Sequence, residues 1–90
     1  MENLDHLKEL RVLNLSDNLI KTIEGIEGCS ELDTLYIGRN HIGKNGIEDL
    51  KGLLDCPKLS CVDIQANCIE DPAVLPEIFC KMPELKVLYL

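Results

Sequence analysis

The sequence has few basic residues and no cluster of them. Nine Lys and Arg stand against 16 Asp and Glu, which gives a formal net charge of −7. Nucleic-acid binding depends on a basic face that neutralises phosphates, so this composition argues against a nucleic-acid partner. The chain also lacks an apolar run near the roughly 20 residues that span a bilayer, and its N-terminus lacks the apolar core of a signal peptide. We therefore expect a soluble cytoplasmic protein without a membrane partner.

The number of cysteines bears on whether the chain is stabilised by disulfides. The chain has five, and an odd number does not suit a complete disulfide framework. Reduced thiols in a cytosolic protein are the expected state.

One motif of aliphatic residues and Asn occurs three times in full, and a fourth copy begins near the end of the sequence. Its positions are filled by Leu10, Leu13, Leu15, Asn18 and Ile20; by Leu32, Leu35, Ile37, Asn40 and Ile42; by Leu59, Val62, Ile64, Asn67 and Ile69; and then by Leu85, Leu88 and Leu90. This is the leucine-rich repeat pattern. It predicts an α/β solenoid with a concave parallel sheet and with 3₁₀ and α-helical segments on the convex side, and it favours binding over catalysis.

The repeat boundaries follow from the first Leu of each copy. We predict one leucine-rich repeat domain at 1–90, divided into a partial repeat 1–9, repeats 10–31, 32–58 and 59–84, and a truncated repeat 85–90. No amphipathic cap stands at either end, although a solenoid needs polar terminal repeats. We therefore expect an excerpt of a longer solenoid, or a truncated product whose open ends favour self-association.

The convex segments differ in length. The first repeat is 22 residues long and carries Ile23, Ile26 and Cys29 at intervals of three, which predicts 3₁₀-like turns. The second and third repeats, of 27 and 26 residues, have room for α-helices. In the second we expect Asn45 to cap a helix with Glu48 and Asp49 in its first turn and with Ile47, Leu50 and Leu54 buried. In the third we expect a helix that starts at Asp71-Pro72, ends at Pro83 and buries Val74, Leu75, Ile78, Phe79 and Met82.

The Asn of each repeat has a structural explanation. An amide side chain both donates and accepts, so Asn18, Asn40 and Asn67 can satisfy backbone groups where each strand ends and can bond from one coil to the next.

Residues that alternate with the aliphatic positions of each strand should face the concave side. Four ladders follow: Val12, Thr34, Cys61, Val87; Asn14, Tyr36, Asp63, Tyr89; Ser16, Gly38, Gln65; and Asp17, Arg39, Ala66. The second ladder holds both tyrosines of the chain, and exposed Tyr suits a protein partner. Our candidate protein-binding residues are Val12, Asn14, Thr34, Tyr36, Arg39, Cys61, Asp63, Val87 and Tyr89. The alternative is that the tyrosines only cover aliphatic neighbours, and that Arg39, His41, Asp17 and Asp63 are solvated side chains.

Three groups of residues suggest a chemical site, but none has the residues or the spacing that the chemistry needs. His41 and Cys68 share a repeat position, but no orienting acid or oxyanion donor accompanies this pair, so we expect no enzyme. Cys56, Cys61 and Cys68 do not have a zinc spacing, and Cys56 and Cys61 should lie on opposite sides of the sheet. The loop Gly43-Lys44-Asn45-Gly46 lacks the phosphate-loop pattern. We therefore assign no cofactor and no metal.

The 22-residue repeat with Ile20 and Ile23 resembles the subclass found in regulatory subunits of the type-one Ser/Thr protein phosphatase and in ciliary proteins. Within it, the stretches Leu10–Leu15, Ile47–Leu50, Ile69–Pro72 and Met82–Leu88 are similar to the repeat domain of the dynein axonemal assembly factor 1 family. That resemblance implies a non-catalytic cytoplasmic scaffold that helps assemble axonemal dynein arms for cilia or flagella. Its implied partners are dynein chains, chaperones or assembly factors; the alternative is a regulatory subunit of the phosphatase.

Overall fold

The computed structural model describes residues 8–90, so the predicted partial repeat at 1–9 lies largely outside the described residues. Four short strands form one parallel sheet in chain order: β1 (Val12–Asn14), β2 (Thr34–Tyr36), β3 (Cys61–Asp63) and β4 (Val87–Tyr89). No helix within residues 8–90 has the length and apolarity needed to cross a membrane.

The register of the sheet is the one that the repeats predict. Val12 is paired with Thr34, Thr34 with Cys61, and Cys61 with Val87, while Asn14, Tyr36, Asp63 and Tyr89 form the parallel row at the other end of the strands. The first two predicted ladders are therefore confirmed as rows of the sheet. The central residue of each strand points the other way, into the core, where Leu35 and Val62 are fully buried.

The convex segment of the first repeat is built from three-residue turns. The backbone N–H of Cys29 donates to the carbonyl of Ile26 at 2.9 Å, and that of Leu32 donates to Cys29 at 3.2 Å. Ile23, Ile26 and Cys29 are buried as predicted. The turns stay separate and do not join into a continuous 3₁₀ helix.

The prediction of an α-helix in the second repeat is wrong. Two 3₁₀ helices occupy the segment, Gly46–Asp49 and Lys51–Asp55, and the Asn45 side chain caps neither. Leu50, Leu53 and Cys56 are buried because a 3₁₀ helix returns to the same face every three residues. Leu54 falls outside this spacing and is 40% exposed, contrary to the prediction.

Close packing between convex segments depends on a glycine that the repeat pattern does not mark. A Cβ atom at Gly52 would lie 2.1 Å from the carbonyl oxygen of Ile23 in the preceding repeat. Only glycine lets the two backbones approach this closely. The first and second repeats therefore pack backbone against backbone at this point.

The third repeat has an α-helix, but only of one turn. Helix α1 (Val74–Glu77) is followed by a 3₁₀ helix at Phe79–Lys81. The Asp71 carboxylate accepts a hydrogen bond from the backbone N–H of Ala73 at 2.9 Å. The helix begins at Val74, however, and its N-cap residue Ala73 makes no side-chain cap hydrogen bond, so the predicted start at Asp71-Pro72 is wrong. Val74, Ile78, Phe79 and Met82 are buried. Leu75 is 46% exposed, which contradicts the prediction that it is buried. Its side chain is exposed because it follows Val74 by one residue and therefore faces about 100° away from it on the helix.

Asn40 connects two repeats through their backbones. Its Nδ2 donates to the carbonyl oxygens of Ile37 (3.0 Å) and Gly38 (3.1 Å) in its own repeat and of Leu15 (3.0 Å) in the preceding one. Its Oδ1 accepts from the backbone N–H of Ile20 at 3.1 Å. Asn67 makes the corresponding bonds with Ile64, Gln65, Ile37 and Ile42. The predicted coil-to-coil role is therefore confirmed for Asn40 and Asn67, whereas the side-chain bonds of Asn18 within residues 8–90 go to Leu15 and Ser16 of its own repeat.

The residue before each Asn is in the left-handed region of backbone space. Asp17, Arg39 and Ala66 have φ angles of 61°, 54° and 56°. This conformation costs a residue with a Cβ atom roughly 1–2 kcal/mol. It recurs because the turn brings the following Asn amide onto two carbonyl oxygens at the end of the strand, and those hydrogen bonds offset the cost.

Asp49 is the buried charge of the convex layer, and its role differs from the helix-dipole role that we predicted. It is 2% exposed. Its carboxylate accepts hydrogen bonds from the Thr22 hydroxyl (3.0 Å), the backbone N–H groups of Gly43 (3.1 Å) and Asn45 (3.0 Å), and the Asn45 amide (3.4 Å). Burial acts to raise the pKa of Asp49, but these donors outweigh it and hold the pKa below its ordinary value.

We expect Asn40→Leu to destabilise the protein strongly. The substitution leaves backbone groups of two repeats without partners, at roughly 1–3 kcal/mol for each buried group. Urea denaturation followed by circular dichroism measures the loss. Asn18→Leu is the matched control, because Asn18 is exposed and its only side-chain bonds within residues 8–90 go to the carbonyls of Leu15 and Ser16. Equal losses in the two variants would contradict the inter-repeat role of Asn40.

The ionised Asp49 should stabilise the fold in a pH-dependent way. Because its folded-state pKa lies below the unfolded-state value, its contribution is fully present above the unfolded pKa and is lost as the pH falls through the folded pKa. We expect Asp49→Asn to unfold more easily at pH 7, by roughly 1–3 kcal/mol, because its amide would face backbone N–H donors. Denaturation curves recorded from pH 7 downwards should converge for the two proteins in acid. Glu48→Gln, which removes an exposed charge, is the control, and a parallel profile for Asp49→Asn would refute the assignment.

Candidate protein-binding surface

The first concave ladder supplies the apolar part of the candidate surface. Val12 and Val87, at its two ends, are 53% and 40% exposed. Thr34 and Cys61 between them are half-buried, and the Thr34 hydroxyl donates to the carboxylate of its neighbour Asp33 at 2.8 Å. The ladder is therefore a mostly apolar stripe whose most accessible points are the two valines.

In the second ladder, polar residues that accept a hydrogen bond from their own chain two positions later alternate with tyrosines that do not. The Asn14 Oδ1 accepts from the backbone N–H of Ser16 at 3.0 Å, and the Asp63 Oδ1 accepts from that of Gln65 at 3.2 Å. These local bonds keep the two polar side chains beside the strand ends. Tyr36 and Tyr89 occupy the alternate rungs and are 37% and 50% exposed, so they are the large side chains of this ladder that a partner can reach.

Arg39 and Asp17 form an ion pair at the edge of this face. The Arg39 Nε donates to the Asp17 Oδ1, and its Nη2 donates to the Oδ2 at 2.8 Å. The hydrogen bond from Arg39 is the main cause that lowers the pKa of Asp17, and the same bond raises the pKa of Arg39. Both side chains are mostly exposed. Arg39 and Asp17 are therefore paired although they are exposed to solvent, while His41 lies elsewhere, on the flank of the solenoid.

A small depression lies where the strands end. Its volume is about 200 Å³, and it is lined by Ser16, Gly38, Arg39, Asp63, Gln65 and Ala66. A Cβ atom at Gly38 would approach the carbonyl oxygen of Gln65 to 3.3 Å, so glycine keeps the floor of the depression free of a side chain. The candidate surface therefore combines an apolar stripe, two tyrosines and a polar depression with Arg39 at its border.

The candidate chemical residues lie in several parts of the solenoid. His41 lines a groove with Leu19, and Cys68 lines a neighbouring depression with Gly43 and Asp71. Cys61 is on the concave face, while Cys56 is in the core, where burial raises the pKa of its thiol to about 12. Residues 8–90 contain no group of three His, Cys, Asp or Glu side chains placed to hold a metal ion.

Sequence reasoning missed two features of the surface. The local bonds of Asn14 and Asp63 are not part of the sequence prediction, although an Asx residue at the last position of a strand is a recognisable turn signal. The sequence does not decide whether Arg39 pairs with Asp17, but the two residues occupy the same position of consecutive repeats, which is consistent with their pairing.

Comparisons with known proteins agree with this architecture. A family described as Leucine Rich repeats (2 copies) matches residues 8–44. The chain is 31% identical, over 98% of its length, to an acidic leucine-rich nuclear phosphoprotein 32-related protein of Plasmodium falciparum, of which it covers 32%. The fold is similar to the crystal structure of an internalin from Listeria monocytogenes, with a TM-score of 0.72 and 23% identity over 97% of this chain and 24% of that one.

The chain spans about a third of the curated relative and a quarter of the internalin chain. Leucine-rich repeat domains typically bind proteins and are not catalytic. The matched repeats, the four-stranded parallel sheet and the short convex helices lead to one conclusion. The chain contains leucine-rich repeats and folds as a leucine-rich repeat solenoid.

Proposed function

We propose that the concave face binds a protein partner through Tyr36 and Tyr89. The observation that carries this proposal is the exposure of both tyrosines beside an apolar stripe on a hydrogen-bonded sheet. Tyrosine buries a large area at a low cost in side-chain entropy and offers a hydroxyl group.

The spacing of the tyrosines favours an extended contact. They are separated by one intervening strand, so their backbones lie roughly 10 Å apart. Asp63 occupies the rung between them and is tied to Gln65, which leaves the gap open to a partner side chain. Arg39 at the border is already neutralised by Asp17, so a partner can cover this rim without burying an unpaired charge.

For the biological role, we propose a non-catalytic scaffold for the cytoplasmic assembly of axonemal dynein arms. The support is the resemblance carried by the long second and third repeats, in particular Asp71-Pro72 and Met82-Pro83 at the two ends of the third convex segment. The partners would be dynein chains, chaperones or other assembly factors, and the location would be the cytoplasm, with the cilium or flagellum as a further site. Self-association also stays a prediction of the repeat pattern.

The second candidate is a regulatory subunit of a type-one Ser/Thr protein phosphatase. It is favoured by the 22-residue first repeat with Ile20 and Ile23. In this case the same concave face would contact the phosphatase catalytic subunit.

Affinity purification from flagellated cells distinguishes the two roles. With the protein as bait, we expect dynein chains or chaperones to be enriched over a tag-only control in quantitative mass spectrometry. Enrichment of the phosphatase catalytic subunit without dynein or chaperone subunits would support the second candidate. Recovery of neither group would reject both roles.

The tyrosines should contribute to affinity and hardly at all to stability. We expect the Tyr36→Ala, Tyr89→Ala double variant to weaken binding of the recovered partner by roughly tenfold or more, since truncating a central interface Tyr costs over about 1 kcal/mol. Surface plasmon resonance measures the affinity and thermal denaturation measures the stability. The matched control is Leu54→Ala with Leu75→Ala, two comparably exposed residues of the convex side. A large loss of melting temperature without a loss of affinity would overturn the concave-face proposal.

A further inference from the structure

A second candidate binding surface lies on the flank of the solenoid, away from the tyrosines. Here the chain leaves the first and second strands for the convex side and forms a groove of about 520 Å³. We call it the flank groove, and it is lined by Leu19, Lys21, His41, Lys44, Asn45 and Asp49. The repeat pattern assigned no role to Leu19, Lys21 or Lys44.

The two lysines of the flank groove differ from most basic residues of the convex side. Lys51, Lys58 and Lys81 each form an ion pair with a glutamate. Lys21 and Lys44 are exposed and form no ion pair with any residue in the range 8–90. The flank groove therefore holds two positive charges that a ligand can pair with, in a chain whose net charge is −7.

The acidic residue of the flank groove does not neutralise these lysines by contact. Both carboxylate oxygens of Asp49 accept hydrogen bonds, from Thr22 at one oxygen, from the backbone of Gly43 and Asn45 at the other, and from the Asn45 amide. Those donors already satisfy the carboxylate, which is buried beneath the loop. Lys21 and Lys44, which form no ion pair with Asp49, remain available to an anionic ligand.

The apolar component of the flank groove is Leu19. Its side chain is 78% exposed, more than any other exposed large hydrophobic residue of the described chain. A ligand that covers it would gain roughly 1–2 kcal/mol from apolar burial. A fully hydrophilic anion would leave this gain unused, whereas a peptide with both acidic and aliphatic side chains would use it.

The backbone around the flank groove is held in place before any ligand binds. The N–H of Ile20 donates to Asn40, and the N–H of His41 donates to the carbonyl of Ile20 at 2.8 Å, so the two walls are joined. Asp49 anchors the loop that carries Lys44, and its own carbonyl accepts from Ile23 at 2.8 Å. A preformed site reduces the ordering cost of binding.

We propose that the flank groove binds an acidic peptide segment of a partner protein, with carboxylates at Lys21 and Lys44 and an aliphatic side chain against Leu19. Charge complementarity selects the acidic segment, and the exposed leucine selects a peptide over a purely polar anion. This surface is separate from the concave face, so the inference does not depend on the proposed role of the tyrosines.

Fluorescence anisotropy with a synthetic peptide tests this inference. The probe is a fluorescein-labelled peptide with repeated Glu-Glu-Leu units separated by Gly, and the reference probe has Lys in place of each Glu. We expect saturable binding of the acidic probe alone. Lys21→Ser with Lys44→Ser should weaken it by roughly tenfold, since two exposed ion pairs together contribute about that factor. Leu19→Ser should also weaken it, by about fivefold to tenfold.

Two controls separate a specific site from general attraction of charge. Lys51→Ser with Lys81→Ser removes the same charge outside the flank groove and should leave the affinity within about twofold. The Tyr36→Ala, Tyr89→Ala variant should bind the probe unchanged, even if the concave-face proposal fails. The inference is overturned if the acidic probe does not bind or if the Lys51 and Lys81 control loses as much affinity as the Lys21 and Lys44 variant. It is also overturned if an oligothymidine displaces the probe as readily as unlabelled peptide does, because this would indicate a general polyanion site.

Discussion

The hydrogen bonds of the inter-repeat Asn side chains are the interaction on which the rest of the structure depends. Each strand is only three residues long, so the sheet itself offers few ladder bonds to hold one repeat against the next. Asn40 and Asn67 add bonds that cross from one repeat to the preceding one at the point where the strand ends. These amides set the register, because a slip by one residue would separate them from their backbone partners. The left-handed residues before them are tolerated for the same reason.

The register determines which side chains lie on the concave face. Side chains that alternate with the core residues must form straight rows, so Tyr36 and Tyr89 share a row with Asn14 and Asp63. The protein uses the polar members of this row to close its own strand ends and leaves the aromatic members accessible. A binding surface thus follows from the same periodicity that builds the core, without a pocket or a catalytic group.

On the flank of the solenoid, a buried carboxylate orders the surface loop. Asp49 is buried and charged, and such a group is costly unless donors surround it. Thr22 from one repeat and the loop at Gly43 and Asn45 from the next supply these donors. The buried carboxylate therefore joins two repeats on the convex side, as Asn40 does at the strand ends, and it orders the loop that carries Lys44.

The repeated pattern alone determined the solenoid, the parallel sheet, its register, and the buried positions Ile23, Ile26 and Cys29, because five matched positions at a fixed spacing leave one way to stack. It could not determine the type of the convex helices. Leu53 and Leu54 are both adequate core residues, and only packing against the preceding repeat, with Gly52 pressed onto Ile23, selects the three-residue spacing that buries Leu53 and exposes Leu54. The bond between Asp49 and Thr22 and the pairing of Arg39 with Asp17 were likewise decided by the tertiary structure. Both join residues more than 20 positions apart in sequence, and their distance in space depends on how the repeats curve and stack.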